Sequence, residues 1–307
     1  MKRTLLVLIL FNFIWASAQI TEGEKALKKQ RTDSLNGWKK GGAYAINFSQ
    51  LSLSNWAAGG LNSVSLNSFF NCYAFYTRDS LTWDSSLDLG FGMIRQGRTE
   101  GVWLKSDDKI DFSSKVGYKY SEKAYFAGLL NFRTQFTRGY ETVEKTKVIS
   151  NILAPAFLVC AIGIDYKPAN KVSFFAAPIT YKSTIVMDDS LSMAGGFGVQ
   201  PGEVYRSEFG GYLRIQMVRD IMKNVNYSGK IDLFSNYFNN PENIDVNWEN
   251  TFTMKINAHL NANLMTHLIY DDDIMIAIDR NEDGFNDASG PRLQFKQLFG
   301  AGFAYKF

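Results

Sequence analysis

The sequence is poor in the residues that usually stabilise or identify a soluble enzyme. Its 307 residues include only two cysteines, two histidines and six prolines. Cys72 and Cys160 are too few for a disulfide framework, and the sequence leaves open whether they pair. Lys and Arg number 33 against 30 for Asp and Glu. That near balance excludes both a strongly basic nucleic-acid surface and a highly charged disordered chain.

The only long apolar run of the chain is at its start, and it is too short for a transmembrane helix. The N-terminus has a basic segment (Met1–Arg3), an apolar segment (Leu5–Trp15) and a small-residue cleavage site (Ala16–Ala18). This pattern predicts a signal peptide over residues 1–18. Residues 19–41 are polar and rich in Lys, Glu and Gln, and we expect them to form a periplasmic N-terminal extension.

The chain does contain many dispersed apolar side chains: 46% of residues are hydrophobic and 15% aromatic, yet the mean hydropathy is −0.17. From Gly42 onward the alternation has a period of two, which indicates β-strands. In the last segment one face carries Leu293, Phe295, Phe299, Ala301, Phe303, Tyr305 and Phe307, and the other carries Arg292, Gln294, Lys296, Gly300, Gly302 and Lys306. About half of the residues in each strand are therefore apolar, although no long stretch of the sequence is apolar throughout.

Twelve strands are predicted, near residues 42–54, 62–77, 81–96, 109–121, 124–140, 152–167, 171–187, 204–219, 225–236, 246–257, 260–271 and 292–307. Short and long connections alternate between them from the second strand onward. Outer-membrane barrels have short periplasmic turns, longer outer loops and an even strand count. We therefore predict an all-β fold, a transmembrane antiparallel up-and-down β-barrel over residues 42–307, rather than a soluble sandwich.

The strand ends support the outer membrane of a Gram-negative bacterium as the location. Aromatic residues there suit interfacial girdles: Trp83, Tyr118, Tyr120, Tyr140, Tyr166, Tyr205, Trp248, Tyr270 and Tyr305. The chain ends with alternating aromatic residues and a terminal Phe307, a pattern similar to the strand signal that the outer-membrane assembly machinery reads. Membrane lipid and that machinery are the expected partners, with small solutes as further candidates.

Two segments resemble a known family. The stretch Phe48–Gly60 (FSQLSLSNWAAGG) is similar to the N-terminal signature of a Bacteroidota outer-membrane family labelled domain of unknown function, number three thousand and seventy-eight. Gly290–Lys296 (GPRLQFK) is similar to the end of the same family. The resemblance implies an envelope barrel and supplies no activity. The first segment is interpreted either as a hairpin turn at Gly59-Gly60 or as an outer loop that contacts a partner.

The last long loop carries a candidate metal site. Residues 279–287 match the first half of an EF-hand-type loop, with Gly284 at the sharp turn and Gly290 where the bidentate Glu would stand. The expected oxygen ligands of Ca²⁺ are Asp279, Asn281, Asp283, the Phe285 carbonyl and Asp287, with Asp271, Asp272 and Asp273 as candidates to complete the set. A solvated acidic loop without a metal is the alternative.

Catalytic motifs are weak. His259 falls in a predicted periplasmic turn, and His267 shares a face with Asn261 and Asn263, so it points to the lumen rather than to lipid. A lipid-active enzyme would need Ser, His and Asn or Asp together at the lipid-facing edge. We therefore expect no enzymatic activity, and an outer-membrane lipid enzyme is the last of three candidate functions.

The other two candidate functions differ in whether the lumen is an open channel or is filled by side chains. Arg133, Arg214, Lys182 and Lys296 fall on polar or mixed strand faces. A twelve-stranded barrel can hold a narrow channel or be filled by its own side chains. The first hypothesis is a small-solute channel or transporter, and the second is a structural or interaction barrel that presents outer loops to envelope partners.

Overall fold

The computed structural model describes residues 36–52, 62–97, 102–140, 146–169, 171–257, 259–278 and 288–306. The predicted signal peptide, the start of the predicted N-terminal extension, most of the Phe48–Gly60 segment and Phe307 lie outside the described residues.

Twelve long strands form one closed barrel, as the alternation predicts. In chain order the strands are β1 (Gly37–Leu51), β2 (Ser63–Arg78), β3 (Leu81–Gln96), β4 (Leu104–Lys119), β5 (Ala124–Thr134), β6 (Gly139–Tyr140), β7 (Val148–Ser150), β8 (Ala156–Ala169), β9 (Val172–Ile185), β10 (Tyr205–Met222), β11 (Val225–Asn236), β12 (Ile244–Lys255), β13 (Leu260–Tyr270), β14 (Ile276–Ile278), β15 (Ala288–Gly290) and β16 (Gln294–Lys306). The barrel order is β1-β16-β13-β12-β11-β10-β9-β8-β5-β4-β3-β2, and every pair is antiparallel. The pairs β6–β7 and β14–β15 are small hairpins within loops.

The fifth predicted strand is too long. Sequence alternation carries it to residue 140, but β5 ends at Thr134. The backbone amides of Phe136 and Thr137 donate to the Asp108 carboxylate at 2.7 and 3.0 Å. These bonds draw the chain away from the barrel, so Tyr140 lies in the loop hairpin β6–β7 rather than at a barrel strand end.

Short and long connections alternate as predicted, which gives the barrel two different ends. The β2–β3 and β10–β11 turns contain Asp79 and Asn224 with φ of 51° and 64°, the left-handed conformation that tight hairpins require. The long connection between β9 and β10 contains a short helix, α1 (Asp189–Met193). We call the two ends the short-turn end and the long-loop end.

The polarity of the barrel is that of a membrane protein. The outside carries exposed large apolar side chains such as Phe126, Ile162 and Phe299, whereas buried residues include Asp111, Asp165 and Arg214. A soluble barrel has the opposite arrangement, and a transmembrane barrel has an apolar outer band around a polar interior. Among the described residues, no helix is long and apolar enough to cross a membrane.

Aromatic side chains cluster on the outside near the short-turn end. The rings of Trp38 and Tyr76 have centroids 5.1 Å apart, and those of Trp38 and Trp83 are 5.7 Å apart. Tyr118 and Tyr166 are also exposed there. This arrangement agrees with the predicted girdle, since aromatic rings favour the membrane–water interface.

Candidate functional site in the barrel lumen

A layer of charged side chains occupies the middle of the lumen. We call it the ion-pair layer, and it consists of Lys109, Asp111, Arg133, Arg214, Lys230, Asp232 and Glu249. Its members come from β4, β5, β10, β11 and β12, where alternation points them away from the lipid-facing side. The layer holds four cations and three carboxylates, which largely neutralise one another.

One ion pair of the layer crosses the whole lumen. Nζ of Lys109 on β4 lies 2.5 Å from Oε2 of Glu249 on β12. In the closed order, β12 is the sixth strand from β4 in either direction, so the two strands are opposite each other. Lys230 on β11 reaches Asp111 on β4 at 3.0 Å. Side chains of the layer therefore reach across the lumen and do not only line its wall.

The most deeply buried pair of the layer is Arg214 with Asp232. Nε of Arg214 donates to Oδ1 of Asp232 at 2.6 Å, and Nη2 donates to Oδ2 at 3.2 Å. The hydroxyl of Tyr212 donates to the same carboxylate at 2.7 Å. Arg214 is 3% exposed and Asp232 is 8% exposed. A bidentate pair with such burial is well satisfied only while both partners are present.

A cavity of about 700 Å³ lies between this layer and the short-turn end. Its rim includes Glu122, Lys123 and Lys171 from the short turns, and its inner end includes Ser113 and Arg214. Nη1 of Arg214 donates to the Ser113 hydroxyl at 3.1 Å. The cavity, which we call the short-turn cavity, therefore extends from one end of the barrel to the ion-pair layer.

A second charged group lies nearer the long-loop end. Lys182 contacts Glu208, Asp245 and Asp271 at 3.3, 2.5 and 3.4 Å. Arg206 contacts Glu208 and Asp273, both at 3.0 Å. We call these residues the outer cluster.

The loop over residues 186–204 approaches the outer cluster from the long-loop end. Nη1 of Arg206 donates to the Gly198 carbonyl in this loop at 3.3 Å. Asp188 caps α1, and hydrogen bonds from Ser190 and Asn151 lower the pKa of its carboxyl. The loop is thus ordered by its own contacts as well as by those to the barrel.

The lumenal residues proposed from sequence lie where alternation placed them. Arg133 and Arg214 belong to the ion-pair layer, Lys182 belongs to the outer cluster, and Lys296 pairs with Asp107 at 2.5 Å. His267 also faces the lumen, with Nε2 2.6 Å from Oδ1 of Asn247.

The remaining residues that the sequence singled out lie away from this layer. His259 lies in the short turn between β12 and β13. Cys72 and Cys160 are free thiols in the structure.

The predicted calcium ligands Asp279, Asn281, Asp283, Phe285 and Asp287 lie outside the described residues. The three neighbouring carboxylates have partners in the barrel. Asp271 contacts Lys182 at 3.4 Å and Asp273 contacts Arg206 at 3.0 Å, while Asp272 accepts from Asn243 at 2.6 Å. Within the part of the chain that is described, no group of three or more His, Cys, Asp or Glu side chains is arranged to hold a metal.

Sequence reasoning missed five of the seven residues of the ion-pair layer. Lys109, Asp111, Lys230, Asp232 and Glu249 were not proposed, although each has an apolar residue directly next to it in its strand. That pattern was a usable signal, because a charged residue opposite the lipid-facing side must point into the lumen. The signal gives the direction of each side chain but does not identify its partner on another strand.

Residues 48–140 match the model of a family described as "Protein of unknown function (DUF3078)". This match confirms the resemblance drawn from the Phe48–Gly60 segment. No curated protein matches the chain.

Solved outer-membrane barrels resemble the chain in fold at very low identity. An outer-membrane channel from Pseudomonas putida F1 has 10% identity and a TM-score of 0.39, with 90% of this chain and 97% of that chain covered. The translocator domain of the autotransporter NalP from Neisseria meningitidis has 7% identity and a TM-score of 0.35, with 88% and 89% covered. The monoaromatic hydrocarbon channel TodX has 7% identity and a TM-score of 0.33, with 89% and 90% covered.

Proposed function

We propose that the protein is an outer-membrane barrel that passes small solutes through a lumen closed at rest by the ion-pair layer. The observation that carries this proposal is the short-turn cavity of about 700 Å³, which ends at Arg214. Part of a solute path is therefore already open, and the layer is what blocks its continuation. The apolar outside around a charged lumen supports the location in the outer membrane.

The connectivity of the layer supports a closure that can rearrange. Arg133 lies within 3.7–3.8 Å of Asp111, Asp232 and Glu249, and Lys230 lies 3.0 Å from Asp111 and 3.1 Å from Glu249. Leaving a buried charge without a partner is costly. A cation with several carboxylates in reach can exchange one for another as a solute passes, so no charge is stranded.

Solute uptake into proteoliposomes tests the proposal. Wild-type protein is expected to admit small sugars slowly, and the double variant Lys109→Ala/Glu249→Ala is expected to admit them faster, because both arms of the cross-lumen pair are gone. A folded double variant that gives no more uptake than protein-free liposomes would overturn the channel proposal.

A structural or interaction barrel is the second candidate. The observation that favours it is that charged side chains fill the lumen at two successive levels, the ion-pair layer and the outer cluster. In that case the long loops are the surface that contacts envelope partners. The uptake experiment separates the two, because a structural barrel stays closed when a single pair is removed.

Three further roles are proposed from the sequence. The Asp279–Asp287 loop binds Ca²⁺ weakly, as its incomplete EF-hand pattern implies. The strand that ends at Phe307 is read by the assembly machinery. No catalytic role is assigned, and His267 serves as a lumenal hydrogen-bonding residue.

A further inference from the structure

We propose that the short-turn cavity binds an uncharged, polyhydroxylated solute with the chemistry of a mono- or disaccharide. This inference rests on the proposed function, because it names the class of solute that would enter the path. The volume of about 700 Å³ lies within the range of small-molecule sites.

The first observation is a wall of uncharged hydrogen-bonding side chains. Five uncharged polar side chains from β11, β12 and β13 line the cavity: Ser228, Thr251, Thr253, Asn261 and Asn263. Within the described part of the chain, none of these side chains has a hydrogen-bond partner. Water or a ligand must satisfy them, and together they offer three hydroxyls and two amides.

The second observation is an aromatic surface on the opposite wall. Tyr125 of β5 lines the cavity, and β5 is the sixth strand from β13 in either direction. Tyr125 therefore lies across the lumen from the wall that carries Asn261 and Asn263, and Nζ of Lys167 lies over one face of its ring, 5.0 Å from the ring centroid. Tyr73 and Phe75, with ring centroids 4.6 Å apart, line the cavity as well. A ligand that fits must have both hydroxyls and an apolar face, as a pyranose ring does.

The third observation is that three of the lysines lining the cavity are already paired with carboxylates. Lys115 lies 2.8 Å from Asp165, Lys167 lies 3.4 Å from Asp84, and Lys171 lies 3.7 Å from Asp220. At the rim, Glu122 and Lys123 are adjacent and opposite in charge. An ionic solute would have to displace one of these pairs, whereas a neutral solute leaves them in place. This balance favours an uncharged ligand.

Titration calorimetry on the full-length, detergent-solubilised protein tests the inference with maltose, gluconate and glucosamine as probes. Maltose is expected to bind saturably and more tightly than either charged sugar. The isosteric variant Thr251→Val/Thr253→Val is expected to bind maltose about tenfold more weakly, since two hydrogen bonds are lost.

Thr184→Val is the matched control. Thr184 is a buried threonine on β9 whose hydroxyl has no partner among the described residues, and it does not line the cavity. Maltose affinity is expected to be unchanged in this variant. Asn261→Leu/Asn263→Leu gives a second, independent removal of the same wall and is expected to weaken binding similarly.

Tighter binding of gluconate or glucosamine than of maltose would overturn the inference. So would wild-type affinity in both wall variants, or the absence of maltose binding to folded wild-type protein. Binding in detergent requires no transport, so its failure leaves the uptake result for Lys109→Ala/Glu249→Ala standing. Conversely, maltose binding without uptake in that variant would remove the channel proposal alone.

Discussion

Lys109 and Glu249 form an ion pair at 2.5 Å across the lumen, although they lie on β4 and β12, strands on opposite sides of a twelve-stranded barrel. Two long side chains that extend toward each other are needed to cover that distance. In the proposed function, this pair interrupts the path from the short-turn cavity to the long-loop end. The proposed closure of the lumen depends on this contact more than on any other.

Removal of the partner of Arg214 is expected to destabilise the barrel strongly. Asp232→Asn leaves the buried guanidinium without its carboxylate, which costs about 3–5 kcal/mol of unfolding free energy. Reversible urea unfolding in lipid vesicles measures this loss. Asp79→Asn is the matched control, because Asp79 pairs with Arg78 at 4.0 Å on the surface with both side chains more than 70% exposed. The control is expected to change stability by less than about 1 kcal/mol; equal losses in the two variants would contradict the burial argument.

A charge on the outside of the barrel is expected to cost more at mid-strand than near the aromatic girdle. Ile162, in the middle of β8, is 64% exposed, and Ile162→Arg is expected to cost about 2–4 kcal/mol if it faces the bilayer midplane. Tyr166→Arg lies nearer the short-turn end of the same strand and is expected to cost at most about 1 kcal/mol. The same unfolding measurement applies. Two small and equal costs would show that this surface does not face lipid.

Gly163 is expected to be intolerant of a side chain. An ideal Cβ at this position would overlap the backbone carbonyl of Ala176 on β9, where the β8–β9 register shifts. Gly163→Ala should therefore lower the unfolding free energy by about 1–3 kcal/mol through overpacking. Gly128→Ala is the control, because the nearest atom to its ideal Cβ is 4.0 Å away. If Gly128→Ala destabilised as much as Gly163→Ala, the close approach would not be the cause.

Removal of calcium is expected to expose the loop after β14 to proteases. EDTA should speed cleavage within residues 279–287 of the wild-type protein, because this segment contains four acids and one base, and its carboxylates repel one another without a cation. Asp279→Asn/Asp283→Asn should be cleaved at the faster rate with or without EDTA. Cleavage of the wild-type loop at the same rate in millimolar Ca²⁺ and in EDTA would refute the metal site.

Much of the fold follows from alternation, but the lumenal contacts do not. The twelve strands and their short and long connections could be predicted because the alternating apolar residues of each strand indicate which side faces lipid. Phe175 and Lys182 show the limit: both point into the lumen although one is odd and the other even in number. A register shift between β9 and β10, where Gly210 pairs with Thr180 but Tyr212 pairs with Ala177, reverses the alternation between them. Pro178 lies at this bulge and was a local sign of it, but the alternation alone did not show the shift.

The pairing of Lys109 with Glu249 is beyond the sequence for a different reason. It depends on which residues of opposite strands share one height in the barrel, and that is set by the stagger accumulated around all twelve strands. The sequence indicated that charged residues line the lumen. Only the closed barrel shows that these residues meet across it.

Single-channel conductance in a planar bilayer tests the closed lumen most directly. Wild-type protein is expected to remain closed apart from brief, small openings, whereas Lys109→Ala/Glu249→Ala is expected to show steady conductance. Arg78→Ala, which removes an exposed pair with Asp79 at the short-turn end outside the cavity, is expected to behave as the wild type does. A large, steady wild-type conductance would contradict the account, and so would a folded Lys109→Ala/Glu249→Ala variant that stays closed.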